Sequence, residues 1–538
     1  MSNFSLSLSA PNWDHLETQK RLSVQGVVYL DENRVGSAQL LQHLDAAVAA
    51  DELTAALQRL NGFYSWVYQD GERLFAAVDH VRSRPLFYGQ AGDELYLSDD
   101  AEWVRQQTGD TEMDAIAREE FLLAGYVTGQ ETLYPKVKQL QAGEYLQAEK
   151  SNGKLSVKTH RYYRFWHTEP ESHDEAKLQQ KLESVTLNAM RRLTEYAAGR
   201  QLVIPLSGGY DSRLIATMLK RLDYKNVLCF SYGVPGNKEA EYSRKVAEAL
   251  GFEWTFVEYS ASRWREAWRT PEAVKYRKMA ANHVSLPHVQ DWLAIRELLK
   301  KEKTTNDSII IPGHSGDFVA GSHIPKFAFE APQHSEYSLL QALIQNHLSN
   351  APKNGMHLAD SKTLESRLRD RIASKFDGSA AGLANLYELW DWQERQSKYI
   401  VNSVRVYDQF EMDWWLPLWD IEFVKFWQEV PLEMRKERIW FKNWIDIQYR
   451  KTADSMESAT NLGNAADQPK HLATLIETAK ILPSPLQSFL KKIWRARKTQ
   501  NHFLAFEGLV TGGEIQSYLS NQYNIIGIYS DLYIKSKW

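Results

Sequence analysis

The spacing of apolar and polar residues changes once along the chain, near residue 170. Before that point, short apolar runs separated by turn residues predict β-strands at 21–30, 63–68, 74–78, 86–88 and 95–97. Helical patches are predicted between them, at 37–44 and 51–60. A polar stretch at 167–175, which contains Pro170 and Ser172, predicts a linker and therefore a second domain after it.

After the linker, apolar strands alternate with amphipathic helices. A long helix is predicted at 176–198, followed by strand 202–206, helix 214–222, strand 227–232, helix 239–250, strand 254–257, a helical stretch near 288–301 and strand 308–311. This alternation predicts an α/β fold, with a parallel sheet that carries helices on both faces and binds ligands at the carboxyl ends of its strands. The chain from about residue 337 is predicted to be mostly helical.

Composition narrows the class of protein. A chain of 538 residues is expected to hold two or three domains, and its net charge of −4 gives no electrostatic case for binding nucleic acid or an anionic membrane. No apolar run is long enough for a membrane span, and residues 1–14 lack the pattern of a signal peptide, so a cytoplasmic location is expected. The single cysteine, Cys229, excludes an intramolecular disulfide and a zinc cluster of cysteines.

The most informative segment lies between the strand at 202–206 and the helix after it, and reads Ser207-Gly208-Gly209-Tyr210-Asp211-Ser212. The glycines allow a sharp turn, so backbone N–H groups and a helix N-terminus converge on one point, as in phosphate sites. Ser207 and Ser212 add hydroxyl donors. Asp211 would repel a phosphate, which favours a divalent cation between the two groups. The alternative is an ordinary strand-to-helix turn with a serine cap.

The loop resembles the pyrophosphate loop of ATP pyrophosphatases, and the whole chain resembles the asparagine synthetase family. Glutaminase-domain signatures are matched at residues 60–64, 79–88, 125–127, 131–134 and 142–145. Synthetase-domain signatures are matched at residues 207–212, 230–233, 237–240, 313–317 and 417–420. Segments in this order and spacing are far more specific than the loop by itself.

The resemblance implies both fold and domain order. Residues 1–166 are expected to form a degenerate glutaminase-like domain, an αββα sandwich similar to the Ntn hydrolases. Residues 176–450 are expected to form an ATP-dependent synthetase domain with a parallel sheet of the adenine nucleotide α-hydrolase (PP-loop) type. Residues 451–538 are expected to be a mostly helical extension of that second domain.

The resemblance also implies ATP and Mg²⁺ as cofactors. The loop would hold the pyrophosphate, and Asp211 and Asp317 would hold the magnesium ion. The remaining nucleotide contacts are expected from neighbouring strand ends and the second loop, at Leu206, Ser231, Tyr232, Gly233, Gly313 and Gly316.

Two departures from the family change the expected chemistry. The family's glutaminase uses an N-terminal cysteine, but this sequence begins Met1-Ser2, and Val27 replaces a carboxylate of the glutamine pocket. Ser2 as a weak nucleophile is an alternative to a domain kept for structure. In the second loop, His314 and Phe318 stand where the family carries acids. His314 could accept a proton from an attacking amine or serve as a structural histidine.

Five further side chains are candidates for catalysis. Arg213 could contact a phosphate or a substrate carboxylate, or it could be an exposed first-turn side chain. The family steadies the reacting phosphorus with a lysine, for which Lys442 is the first candidate and Lys498 the second. Lys451 and Lys470 are weaker candidates.

The function expected from the resemblance is an ATP-dependent amide ligase. It would adenylate a substrate carboxylate, releasing pyrophosphate, and transfer the acyl group to ammonia or an amine, releasing AMP. Without its own glutaminase it would need free ammonia, an external ammonia source or a substrate amine; amidation of a sugar carboxylate in surface-polysaccharide synthesis is one form of this. Alternatives are an ammonia-dependent asparagine synthetase, a macrolactam- or β-lactam-type synthetase, and an inactive nucleotide-binding scaffold. A degenerate domain retained whole favours a homodimer interface.

Overall fold

The structure is a computed structural model that describes residues 4–152, 154–351, 365–369, 371, 376–453, 502–510, 512–521 and 523–536. It is a mixed α/β structure, which confirms the predicted fold class. Among the described residues no helix is both long and apolar enough to cross a membrane. The division into domains at 1–166, 176–450 and 451–538 stays a prediction.

The first part of the chain is a sandwich of two sheets. One sheet has the order β1-β8-β7-β9 and the other β11-β10-β6-β5-β3-β2, with β4 paired to β3. The strands are β1 Phe4–Ser7, β2 Trp13–Glu17, β3 Arg21–Leu30, β4 Asn33–Val35, β5 Leu60–Asp70, β6 Arg73–Val78, β7 Phe87–Ala91, β8 Glu94–Ser98, β9 Lys138–Gln139, β10 Glu144–Ser151 and β11 Lys154–Arg161. Apolar side chains from both sheets, such as Val67 and Leu97, form the core between them.

Helices cover the outer faces of this sandwich. Ser37–Ala49 packs on β2 and β3, and Ala101–Gln107 packs on β7 and β8. The result is the expected αββα arrangement. The prediction of a helix at 51–60 is wrong at its end, since the helix is Leu53–Gln58 and Leu60 already begins β5.

The second part of the chain is built on a parallel sheet of order β14-β13-β12-β15-β16. Its strands are β12 Leu202–Pro205, β13 Val227–Gly233, β14 Glu253–Glu258, β15 Ile309–Ile310 and β16 Asp413–Trp414. All four pairings are parallel. Strand β16 lies in the region predicted to be mostly helical; two residues give no alternating pattern, so only its pairing with β15 reveals it.

Helices occur in both parts of the described chain. The first four of the following list belong to the first part, and the others surround the parallel sheet or follow it. In chain order, the helices and helical turns are Ser37–Ala49, Leu53–Gln58, Ala101–Gln107, Ala115–Ala124, Glu175–Ala197, Tyr210–Arg221, Lys238–Leu250, Ala261–Ala267, Pro271–Ala281, Trp292–Lys300, Gly316–Val319, Lys326–Phe329, Glu336–His347, Ala380–Trp390, Asp391–Ile400, Val401–Val404, Arg405–Gln409, Pro417–Trp419, Ile421–Trp427, Leu432–Arg435, Lys436–Arg438, Ile439–Thr452, Phe506–Leu509, Gly512–Ser520 and Ile525–Ile534.

The two parts meet across a buried interface. Asp420 accepts hydrogen bonds from Arg192 at 2.7 and 2.8 Å and from the Asn61 side chain at 3.1 Å. The imidazole of His80 bonds the carbonyl of Trp419 at 2.6 Å. Because Asn61 and His80 of the first sandwich contact the segment at 417–420, the first sandwich supports one side of the parallel sheet.

A buried ion pair stabilises the region that carries the second loop. The guanidinium of Arg435 donates to Glu388 at 3.0 and 2.5 Å, and both side chains are fully buried. Arg435 also donates to the carbonyl of Val319 at 3.1 Å. One arginine therefore joins helix Ala380–Trp390, helix Gly316–Val319 and its own segment.

We expect the substitution Glu388→Gln to lower the free energy of unfolding by about 3–5 kcal/mol, because it leaves a buried guanidinium unpaired. The double variant Glu388→Leu/Arg435→Met removes both charges and should lose clearly less. Urea denaturation followed by circular dichroism measures the difference.

The exposed pair Arg244–Glu248 is the matched control for this prediction. Glu248→Gln should change the free energy of unfolding by less than about 0.5 kcal/mol. Equal effects of Glu388→Gln and Glu248→Gln would contradict the role given to Arg435.

Candidate active site

The loop after β12 has the geometry of an anion site. Helix Tyr210–Arg221 begins after Gly209, and in the described part of the chain no side chain caps it. Its first backbone N–H groups therefore remain available to a ligand. Ser212 Oγ accepts from the Ser207 N–H at 3.2 Å, and Ser207 Oγ accepts from the Gly209 N–H at 3.1 Å. The two hydroxyls, predicted as ligand donors, thus also hold the loop in shape.

The second loop, residues 313–317 after β15, contacts the first loop, residues 207–212, directly. A Cβ at Gly313 would lie 2.8 Å from the Ser212 backbone nitrogen, and one at Gly316 would lie 3.1 Å from Asp211 Cγ. The Asp317 N–H donates to Asp211 Oδ2 at 2.9 Å. Since β12 and β15 are neighbours, their carboxyl ends bring Asp211 and Asp317 together.

The two carboxylates repel each other, and cationic groups compensate. Burial and the negative charge of Asp317 raise the pKa of Asp211, while Arg438 Nη1 lies 3.3 Å from Asp211 Oδ1 and opposes that rise. His323 Nε2 lies 3.3 Å from Asp317 Oδ2, and this contact lowers the pKa of Asp317 against the effect of burial.

His323 is itself held by a second carboxylate. Its Nδ1 hydrogen-bonds the buried carboxylate of Asp391. Although burial lowers it, these two acids raise the pKa of His323 to about 10, so the imidazole is a cation at neutral pH. The chain Asp391–His323–Asp317 fixes the orientation of Asp317.

The donor set fits a magnesium ion only if phosphate completes it. Among the described residues no group of three or more His, Cys, Asp or Glu side chains could hold a metal ion. Two carboxylates are what Mg²⁺ uses when substrate phosphates supply other ligands. Asp211 and Asp317 therefore fit a metal–phosphate complex.

The expected nucleotide wall is partly available. Ser231 Oγ is buried and has no partner among the described residues, which suits a polar ligand edge. Leu206 is buried, and the Tyr232 hydroxyl bonds Asp291. Gly233 has φ +134°, and a Cβ there would lie 2.9 Å from the carbonyl of Phe503, so the segment at 502–510 closes over this strand end.

His314 lies within the second loop, and its imidazole is neutral. Its Nε2 is 3.5 Å from Ser403 Oγ. Burial and the neighbouring His288 lower the pKa of His314 to about 4. Phe318, the other substituted position, is buried in the core with its ring 4.9 Å from that of Phe165. The site therefore has an uncharged imidazole and an apolar ring where the family carries acids.

The alternative of an exposed Arg213 is wrong, because the side chain is 3% exposed. Its Nη1 lies 3.0 Å from Asp446, and its guanidinium stacks on the Tyr210 ring at 4.6 Å. Lys442 is half-buried on helix Ile439–Thr452; burial and the charge of Arg438 lower its pKa. Lys498 and Lys470 lie outside the described residues.

Sequence reasoning missed Arg438 and His323. The phosphate-facing cations predicted from the sequence were Arg213 and several lysines, although Arg438 ends the charged run Arg435-Lys436-Glu437-Arg438. His323 lies six positions after Asp317 and follows no ligand spacing rule. Only the tertiary contacts with Asp211 and Asp317 identify both residues.

We expect Gly313→Ala to lower the free energy of unfolding by about 1–3 kcal/mol, because the added Cβ overlaps backbone rather than a flexible side chain. Gly36→Ala is the control, since nothing lies within 4 Å of a Cβ there, and it should change stability by less than about 0.5 kcal/mol. Denaturant titration compares them; a neutral Gly313→Ala would mean that the two loops do not touch.

Known proteins similar to this chain were found by sequence and by structure. Asparagine synthetase [glutamine-hydrolyzing] 1 of Bacillus subtilis is 24% identical over 205 residues, 38% of this chain and 31% of the relative. The match thus spans about a third of that relative's length. Such a partial match leaves the activity and substrates of the relative as proposals for this chain.

Solved structures were matched at low similarity. A glutamine phosphoribosylpyrophosphate amidotransferase from B. subtilis is 13% identical, with 56% of this chain and 64% of that chain covered at a TM-score of 0.20. An NH3-dependent NAD synthetase from Campylobacter jejuni is 14% identical, with 40% and 92% covered at a TM-score of 0.21. Because both TM-scores are far below 0.5, these two structures carry no argument about the family of this chain.

Two family models match in the order of the two folded parts. The glutamine amidotransferase domain matches residues 47–163, and asparagine synthase matches residues 181–445. The second match contains both loops with Asp211 and Asp317, and it supports ATP-dependent amidation in general. With both domains matched in this order, the chain belongs to the asparagine synthetase family.

Proposed function

We propose that the protein is an AMP-forming, magnesium-dependent amide ligase that adenylates a substrate carboxylate and passes the acyl group to ammonia or an amine. The observation that carries this proposal is the contact between the two loops, where the Asp317 N–H donates to Asp211 beside an uncapped helix start. A scaffold without catalysis would have no use for two partly exposed carboxylates held together against their mutual repulsion.

The residues of the first step follow from this geometry. The N–H groups at 210–212 bind the pyrophosphate part of ATP, and Ser231 faces the adenosine. Magnesium, held by Asp211 and Asp317, would neutralise phosphate charge when bound. Arg438 and Lys442 place positive charge beside Asp211, where the leaving pyrophosphate gains charge.

His314 serves the second step. With its pKa lowered to about 4, the imidazole is neutral at neutral pH and can accept a hydrogen bond that orients an incoming amine. The family's acid at this position would carry a negative charge there. The exchange favours an acceptor other than the one used for ordinary asparagine formation.

The nitrogen comes from outside the first domain. The only cysteine of the sequence, Cys229, is fully buried in β13, and burial raises the pKa of its thiol. A buried thiol of high pKa cannot act as the glutaminase nucleophile. Free ammonia, a partner glutaminase or a substrate amine then supplies the nitrogen.

The most specific form of the proposal is amidation of a sugar carboxylate in surface-polysaccharide synthesis. It rests on the resemblance of the loop Gly313-His314-Ser315-Gly316-Asp317 to loops in proteins that look like those encoded with surface-polysaccharide enzymes. The tryptophans at 414, 415 and 419 do not support it by stacking on a sugar, because all three are buried in the core. A homodimer also stays a proposal.

The test is pyrophosphate release from ATP and magnesium against a panel of carboxylates, which includes aspartate, uronic-acid nucleotides and free amino acids, with and without ammonia. We expect release that depends on one acid. Asp211→Asn and Lys442→Met should each lower its rate by about 100-fold or more, because each removes charge stabilisation at the reacting phosphate.

Lys245→Met is the matched control, since Lys245 is an exposed lysine of helix Lys238–Leu250 that pairs with Glu241. It should leave pyrophosphate release unchanged. Failure of ATP to bind, or equal activity of the wild type and Asp211→Asn, would remove the ligase proposal.

A second experiment separates the two half-reactions. His314→Ala should slow amide formation by about 10- to 100-fold and leave acid-dependent pyrophosphate release intact, because the imidazole acts on the amine. Since the pKa of His314 is lowered, its charge does not change between pH 8 and 6, and titration of His314 adds no fall in rate across that range.

His173→Ala, an exposed linker histidine, is the control. Quench-flow measurement of both products gives the two rates. An equal loss of pyrophosphate release in His314→Ala would assign this residue to adenylation instead.

A further inference from the structure

A cavity of about 630 Å³ lies between the two folded parts, away from the synthetase loops. Its lining includes Gln25, Arg82 and Arg84 from the first part and Lys278, Asn402 and Arg405 from the second. None of the residues at 206–213 or 313–323 lines it. The volume is in the range of small-molecule sites.

Three arginines meet at this cavity. The guanidinium carbons of Arg84 and Arg405 lie 4.8 and 5.9 Å from the ring centroid of Trp414. Arg405 Nη2 also donates to the carbonyl of Ser83 at 2.5 Å, which places it beside Arg82 and Arg84. Burial and the charge of Arg405 lower the pKa of Arg82 to about 9, so the cluster is held against repulsion.

Each of the three arginines keeps an unused donor. Arg82 Nη2, Arg84 Nε and Arg405 Nε are buried and have no hydrogen-bond partner within the described part of the chain. Arg82 is 4% exposed and Arg405 is 9% exposed. A buried guanidinium N–H without an acceptor is costly, so three of them at one cavity indicate an acceptor that the protein itself does not supply.

The acids of the lining do not supply it. Their carboxylates are engaged elsewhere: Asp99 accepts from the Ser9 and Ala10 N–H groups, Asp100 caps a helix, Glu102 pairs with Arg105, Asp408 accepts from the Trp414 indole as well as pairing with Arg405, and Asp413 pairs with Arg200. Glu411, Lys275 and Lys278 are exposed, and Asp408 is the acid of the lining that pairs with the arginine cluster, at Arg405. The unpartnered N–H donors of the cluster still lack an acceptor, which a bound anion would supply.

We propose that this cavity binds a small oxyanion, a carboxylate or a phosphate, between Arg82 and Arg84 of the first part and Arg405 of the second. Guanidinium groups match both oxyanions by paired N–H donors. The bound anion would link the two parts of the chain.

The test is isothermal titration of the full chain with sodium phosphate and, separately, with sodium succinate, at constant ionic strength set by chloride. We expect saturable binding of at least one anion. Arg84→Gln should weaken it by about tenfold or more, because a charged hydrogen bond is lost, and Arg84→Lys should fall between the two. Tighter binding of phosphate or of succinate identifies which oxyanion the site prefers.

Arg118→Gln is the matched control, since Arg118 is an exposed arginine outside the cavity, and it should bind as the wild type does. Asp211→Asn should also retain anion binding, which separates this proposal from the proposed ligase reaction. Failure of both anions to bind the wild type would overturn it. So would phosphate or succinate binding that persists unchanged in both Arg84 variants, since the anion would then occupy another site, such as the loop at 207–212.

Discussion

The close approach of two loops is the constraint on which the rest of the synthetase site depends. Gly313 and Gly316 let one backbone rest on Ser212 and Asp211, and the Asp317 N–H then reaches Asp211. This contact brings two negative charges together in a partly exposed place. Such an arrangement is unfavourable by itself, and it becomes useful only when cations share the space.

The surrounding residues supply that compensation in layers. Arg438 contacts Asp211, and His323, kept charged by Asp391, contacts Asp317. The buried pair of Arg435 and Glu388 anchors the segment from which Arg438 extends. The cationic side chains are therefore in place beside the two carboxylates before a ligand binds. A bound metal ion and phosphate would add the remaining charges of the site.

Buried contacts join the first part of the chain to the second. His80 and Asn61 contact the segment at 419–420, and Phe63 packs against Trp415 with ring centroids 5.1 Å apart. Removal of the first part would expose the side of the parallel sheet that these contacts cover. The interdomain arginine cluster gives a further reason to retain it.

The sequence by itself determined the local units. Strand β3 matches its prediction at 21–30, and the turn from β12 into helix Tyr210–Arg221 follows from two glycines between apolar runs, because these depend on nearby residues only. The order of the family segments likewise indicated both domains. That Asp211 and Asp317 act together was implied by the family resemblance, and the pairing of β12 with β15 is what brings them to one edge of the sheet.

Tertiary structure alone decided the rest. The partner of Arg213 is Asp446, more than two hundred positions away, and Arg438 and His323 reach the site from segments with no motif. The low pKa of His314 comes from burial, which no local pattern expresses. Such contacts are selected by packing across the whole chain, whereas spacing in a sequence reports only what lies within a few turns or strands.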